Sequence, residues 1–280
     1  MLGIVGGTGL YRLESLQDRQ SVRISTPFGD PSSPITTGRL DDLSVAFLAR
    51  HGEQHELLPG EVNYRANIWA LKSIGVTEIV SVSAVGSLEE RLVPGSIVLP
   101  DQFIDLTKGR RAATFFGDGM VAHVSTAYPT CPRMQRRIRE AAGVAGVETN
   151  SDKTYACIEG PRLGTFAESR MISELGGHVV GMTNVPEAFL AREAQMCYLS
   201  ICIVTDYDAG FSEGVPPEVD VILAEYARSI DKVYRTLAAL ASAETVETAC
   251  SCRSSLRAAV LTPEDRLSSR QLEILSVLRT

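Results

Sequence analysis

The sequence predicts a single α/β domain. Strand-like and helix-like runs alternate along the 280 residues, and no Pro/Ser/Gly-rich linker interrupts them. Residues 198–204 form a run that is apolar except for Ser200 and includes the β-branched Ile201, Ile203 and Val204, which suits a strand covered on both faces. A balance of 44% hydrophobic to 22% charged residues is that of a globular protein able to bury a sizeable core. The net charge of −7, without a basic run or an aromatic-interleaved basic patch, argues against a nucleic-acid partner. No apolar stretch reaches the ~18 residues of a membrane span, and the start MLGIVGG lacks a signal-peptide pattern, so no membrane partner and a cytoplasmic location are expected.

In chain order, residues 2–5 read as a strand that runs into GGTGL. There glycines allow close backbone approach to an anion and Thr8 offers a hydroxyl, although a plain structural turn fits equally. Segments 21–25, 35–38 and 44–48 are strand-like. The last of these ends on Arg50-His51-Gly52, where an arginine at a strand end can grip a phosphate bidentately and His51 can donate beside it; a solvated polar loop is the other reading. Residues 63–75 have the periodicity of an amphipathic helix with Trp69 in the core. Residues 77–83 form a buried strand, with SAVGS after it as a small-residue turn in which Ser83 and the amide of Ala84 can donate to the same anion.

Short strands are expected at 97–100 and 102–104, then a mobile loop over 108–119. His123, alone among apolar residues, reads by itself as a structural histidine. A helix over 131–145 carries Arg133, Arg136, Arg137 and Arg139 on what reads as a solvated face. After a strand at 155–159 come GPRLG, a helix, and a strand at 178–182. Residues 181–208 then supply a loop, a buried helix starting near Pro186, the apolar strand, and Asp206 and Asp208 just beyond it. Two aspartates at i and i+2 on an extended segment point the same way and repel, so a ligand with donors gains more from them than a structural site would. A long helix spans 216–244, with Val219 and Leu223 on one face, and residues 254–280 form an amphipathic tail broken at Pro263, of no evident role.

GGTGL, TPFGDPS, RHG, NYRANIWALK, SAVGSL, IEGPR, GMTNVPE and VTDYD occur in an order and spacing that resemble the 5′-methylthioadenosine phosphorylases of the purine nucleoside phosphorylase superfamily, over about residues 1–253. The resemblance implies one α/β domain with a central mixed sheet flanked by helices, assembled as a trimer or a dimer of trimers. It implies phosphorolysis of the N-glycosidic bond of methylthioadenosine, with inorganic phosphate as co-substrate and no cofactor. Thr8, Arg50, His51, Ser83, the backbone of Ala84, and Thr183 would hold phosphate. Met182 would lie under the ribose, Asp206 and Asp208 would take the purine edge, and Val219 and Leu223 would wall the methylthio pocket with His123 from a neighbouring subunit. Leu163-Gly164 departs from the Phe-Ser that often follows GPR in the family.

On this reading Asp206 is the general acid at purine N7, held protonated by burial and by Asp208. A 6-oxopurine nucleoside or methylthioinosine phosphorylase is the nearest alternative, but that branch usually carries Glu and Asn where this chain has Gly164 and Asp206. A non-catalytic nucleotide-binding protein of the same fold is a second. Cys250-Ser-Cys252 resembles the CxC pair of thermophilic archaeal members, which implies Cys131–Cys202 and Cys250–Cys252 disulfides with Cys197 free; six reduced thiols are the other reading. With no HxxxH or CxxC spacing, no metal is expected.

Overall fold

A computed structural model describes residues 1–7, 16–209, 218–243 and 250–280. Eleven strands form one mixed sheet among these residues. They are β1 (Leu2–Gly6), β2 (Gln17–Val22), β3 (Ile35–Leu40), β4 (Leu43–Ala49), β5 (Glu78–Ser87), β6 (Ile97–Val98), β7 (Gln102–Leu106), β8 (Thr149–Asn150), β9 (Thr154–Ile158), β10 (Val179–Gly181) and β11 (Cys197–Tyr207). Six helices accompany them: α1 (Tyr64–Ser73), α2 (Pro132–Val144), α3 (Phe166–Glu174), α4 (Asn184–Glu193), α5 (Val219–Ala241) and α6 (Ser269–Leu278). No helix among the described residues is long and apolar enough to cross a membrane.

Why the helices lie on both faces is legible in β11. Its alternate residues Cys197, Leu199, Ile201 and Ile203 join the core under α2 and α5, while Tyr198, Cys202 and Val204 point into the opposite core. α1, α4 and α6 pack on that second side. Asn63 caps α1, its side chain accepting from the Ala66 amide at 3.2 Å, and Thr165 with Glu168 closes a capping box on α3. Val185 is extended (φ −116°, ψ 127°), so the regular part of α4 begins at Pro186, where a missing N–H costs nothing.

Several expectations change. Segment 83–87 is not a turn; β5 continues through it because β11 pairs with it as far as Ser87. β2 lies at 17–22 rather than 21–25. The 108–119 loop is pinned by Arg111, which is buried and donates to the carbonyls of Met182 (2.7 Å), Val185 (2.6 Å) and Glu159 (3.0 Å). Arg133 and Arg137 do not belong to a solvated face, since both pair with Glu78; only Arg136 and Arg139 are exposed. Beyond residue 254, Leu256, Ala259, Ile274, Leu275 and Leu278 are buried in the same core as Trp69.

All six cysteines are thiols. A Cys131–Cys202 bridge is ruled out by strand geometry. Cys202 lies five residues beyond Cys197 on β11, which puts the two on opposite faces, and it is Cys197 that shares a core with Cys131. Cys250 and Cys252 join Cys131 and Cys197 in one cluster instead.

Candidate active site

A gap in the sheet makes the site. β1 runs parallel to β5 and pairs with it only up to Ser81, while β10 runs antiparallel and pairs only with Gly86 and Ser87. The two strands therefore approach head to head along one edge of β5 and, among the described residues, leave residues 82–85 without a strand partner there. Backbone groups in such a gap need other partners. Arg50, delivered by the end of β4, supplies one: its Nη1 donates to the Val82 carbonyl at 3.1 Å.

Nε and Nη2 of Arg50 are committed to protein, which leaves one Nη1 hydrogen. Nε and Nη2 donate to the Glu187 carboxylate at 2.7 and 3.0 Å, and Nη2 also reaches Ser81 Oγ at 2.6 Å. Glu187 accepts further from Ser81 Oγ (2.7 Å) and the Tyr198 hydroxyl (3.0 Å), and both charged residues are about 1% exposed. Sequence reasoning missed this pairing. Its signal was a glutamate in the first turn of a helix with apolar residues all round, where a charge must find a buried partner.

Beside Arg50, burial and the guanidinium push His51 down to about 4. The ring is therefore neutral near pH 7. Its Nδ1 lies 2.9 Å from the Leu57 carbonyl, which can only accept, so Nδ1 carries the proton and Nε2 is left as an acceptor. The donating role expected of His51 becomes an accepting one. Ser83 Oγ lies 3.0 Å from Asn184 Oδ1 and 3.2 Å from Thr183 Oγ1. Thr183 is held from behind, where its amide donates to the Tyr155 hydroxyl at 3.2 Å. Gly181 makes room for that ring: a Cβ there would sit 2.0 Å from Tyr155 Oη. Gly181→Ala is expected to cost at least about 2 kcal/mol by overpacking and, by displacing Thr183, to weaken anion binding more than nucleoside binding; chemical denaturation with paired Michaelis constants checks it.

At the other end of the gap a β-bulge follows Val204, and the register resumes with Asp206 opposite Gly86. The extra residue moves Asp206 and Asp208 onto the face shared by Ile203 and Ala84. A Cβ on Gly86 would lie 3.3 Å from Asp206 Oδ2 and 3.3 Å from Asp208 Oδ1, so both carboxyls converge over this glycine. Each has one oxygen tied. Asp206 Oδ1 accepts from Thr205 Oγ1 at 2.7 Å, and Asp208 Oδ2 accepts from Ser169 Oγ. Burial, with the neighbouring charge of Asp208, raises Asp206 to about 6; burial raises Asp208 as well.

Both ends open into one cavity of about 410 Å³, the size of a small-ligand site. Arg50, His51, Ser83, Ala84, Met182, Thr183, Asp206, Asp208 and Leu223 all line it. Leu163 occupies the wall after GPR, and Ile222 and Tyr226 of α5 lie beside Leu223. Val219 is 63% exposed and is not among the lining residues of this chain, nor is His123, which is also exposed. Thr8 lies outside the described residues.

A model of the phosphorylase superfamily matches residues 1–242. The chain is 45% identical over 278 residues to S-methyl-5′-thioadenosine phosphorylase of Geobacter sulfurreducens, covering 99% of this chain and 97% of that one. To the enzyme of the same name from Saccharolobus solfataricus it is 45% identical over 264 residues, 93% of this chain and 97% of that one. Among solved structures, a methylthioadenosine phosphorylase from an antarctic soil metagenomic library superposes with TM-score 0.91 at 42% identity, over 99% and 98% of the two chains. The Schistosoma mansoni methylthioadenosine phosphorylase in complex with adenine gives 0.82 at 36%, over 86% and 90%.

Proposed function

We propose, from the premise that this chain belongs to the phosphorylase superfamily and within it to the S-methyl-5′-thioadenosine phosphorylases, that its cavity binds methylthioadenosine and inorganic phosphate and exchanges the N-glycosidic bond for a C1′–O–P bond. Phosphate attacks C1′, the C1′–N9 bond breaks, and adenine leaves with a proton on N7. The other product is 5-methylthioribose 1-phosphate. The observation that carries this reading is the pair of half-tied carboxyls at one end of a cavity whose other end presents a strand-end arginine and two hydroxyls.

Each group has a task. Since Thr205 donates to Asp206 Oδ1, the acid proton belongs on Oδ2, the oxygen turned toward Gly86 and the cavity. A pKa near 6 lets Asp206 hold that proton in a fraction of molecules near neutrality and share it with N7 as the purine becomes anionic. Asp208 Oδ1 accepts from the exocyclic amine. A 6-oxo purine would set acceptor against acceptor, a mismatch that discriminates by about 10⁴-fold.

Thr183 and the remaining Nη1 hydrogen of Arg50 donate to phosphate, Ser83 joins them by turning its hydroxyl away from Asn184 Oδ1, to which it donates in the free protein, the backbone of Ala84 contributes beside them, and His51 Nε2 accepts the P–OH. Thr8 completes the set. Met182 lies under the ribose. Leu223, Ile222 and Tyr226 cover the methylthio group, with Val219 at the mouth.

Incubating the purified protein with methylthioadenosine should release adenine only when phosphate is present, followed by absorbance. Release without phosphate would indicate a hydrolase, and no release a binding protein. Equal rates on methylthioinosine would favour the 6-oxopurine alternative.

His123 is supplied by a neighbouring subunit, which accounts for its absence from the lining of its own cavity. The active species is then an oligomer with three-fold symmetry. Sedimentation combined with assay is expected to find activity only in that form, and an active monomer would overturn the assignment.

A further inference from the structure

We infer that Cys131, Cys197, Cys250 and Cys252 form a closed tetrathiolate site for one divalent metal ion of the zinc class, remote from the catalytic cavity. The four Sγ atoms all lie within 4.8 Å of one another. Cys250 Sγ is 3.4 Å from that of Cys131 and 3.6 Å from that of Cys197. Four sulfurs at ~2.3 Å from a tetrahedral zinc ion stand about 3.8 Å apart, so the cluster is already close to that size. None of the four lines the active-site cavity.

Charge supports the same reading. Three of the four cysteines are buried, and burial disfavours thiolates unless positive charge is near. Here Arg133 Nη2 lies 3.4 Å from Cys197 Sγ, while Arg133 and Arg137 share the single carboxylate of Glu78. Two guanidiniums against one carboxylate leave a surplus positive charge at the sulfurs, which suits the net negative charge of a metal with four thiolates. Cys131 is also the residue from which α2 starts, and its side chain caps no amide, so its sulfur sits at the positive end of that helix. With all four positions filled by protein, the site has no place for substrate and is structural.

Its mechanical role follows from where the ligands lie. The ion would tie the start of α2 to the start of β11 and to the short 3-10 turn Ser251–Ser254, which leads into the segment packed against α1. Ligands from three separate segments explain why no ligand spacing is visible in the sequence.

Untagged full-length protein, expressed with zinc in the medium, is expected to contain about one zinc per chain by elemental analysis. Removing zinc under reducing conditions should lower Tm by ~10 °C or more. Adding cobalt(II) should then give the intense visible bands of a tetrahedral tetrathiolate. The Cys250→Ser, Cys252→Ser double variant should lose the metal, and Cys202→Ser, outside the cluster, should keep it. The cobalt titration needs only the wild-type chain, so a variant that fails to fold does not shelter the proposal. Reduced protein that takes up neither ion, a cobalt spectrum lacking sulfur ligation, or native disulfides within the cluster by non-reduced peptide mapping would each overturn it.

Discussion

Asp206→Asn is expected to lower turnover on methylthioadenosine by ~10²–10⁴, the usual contribution of a general acid, with a smaller loss on methylthioinosine. The amide keeps the shape and can still hydrogen-bond to N7, but it cannot deliver a proton. The pH profile carries a second mark. With the free-enzyme carboxyl at about 6, kcat/KM for the nucleoside should fall as pH rises through that value, and this limb should vanish in the variant.

Stability should also fall with rising pH. The folded carboxyl titrates at about 6 and the unfolded one near 3.8, so between those values the native state keeps a proton that the unfolded state has lost. Stability therefore drops as pH rises across this window. Above it, the variant should be more stable than wild type by up to about 3 kcal/mol, less what partial exposure of the site removes. Denaturant melts at pH 4 and pH 7 check the sign. A variant with full adenine-releasing activity would end the acid assignment.

Arg50→Ala should have the largest effect on the fold as well as on phosphate. Removing the guanidinium strands the Glu187 carboxylate at 1% exposure, and breaking such a buried pair costs on the order of 3–5 kcal/mol. Loss of activity in that variant alone would say little about phosphate. The double change Arg50→Met, Glu187→Gln separates the two roles, because it removes both charges and keeps much of the volume. It should recover most of the stability while the Michaelis constant for phosphate stays at least about tenfold raised, the nucleoside constant changing much less; a charged hydrogen-bond donor of this kind is worth ~1.5–3 kcal/mol. Equal changes in both constants would make Arg50 a structural residue only.

The Arg50 result also shows where sequence reading stops. That an arginine at a strand end serves an anion can be argued from RHG, but how many of its donors remain for a ligand depends on Glu187, 137 residues away. His51 is similar: the residue was identifiable, yet whether it donates or accepts turns on the Leu57 carbonyl and on burial beside Arg50.

The sequence by itself determined the α/β class, the approximate place of most strands and helices, and candidate residues at both ends of the cavity, because apolar periodicity and strand-end chemistry are local properties. The tertiary structure decided the rest. The head-to-head approach of β1 and β10, the bulge that turns both aspartates over Gly86, the opposite faces of Cys197 and Cys202, and the assembly of four thiols from three segments all depend on strand register and on contacts between distant residues. A register shift of one residue reverses which side chains meet, and pairing between strands is not written in the periodicity of either strand alone.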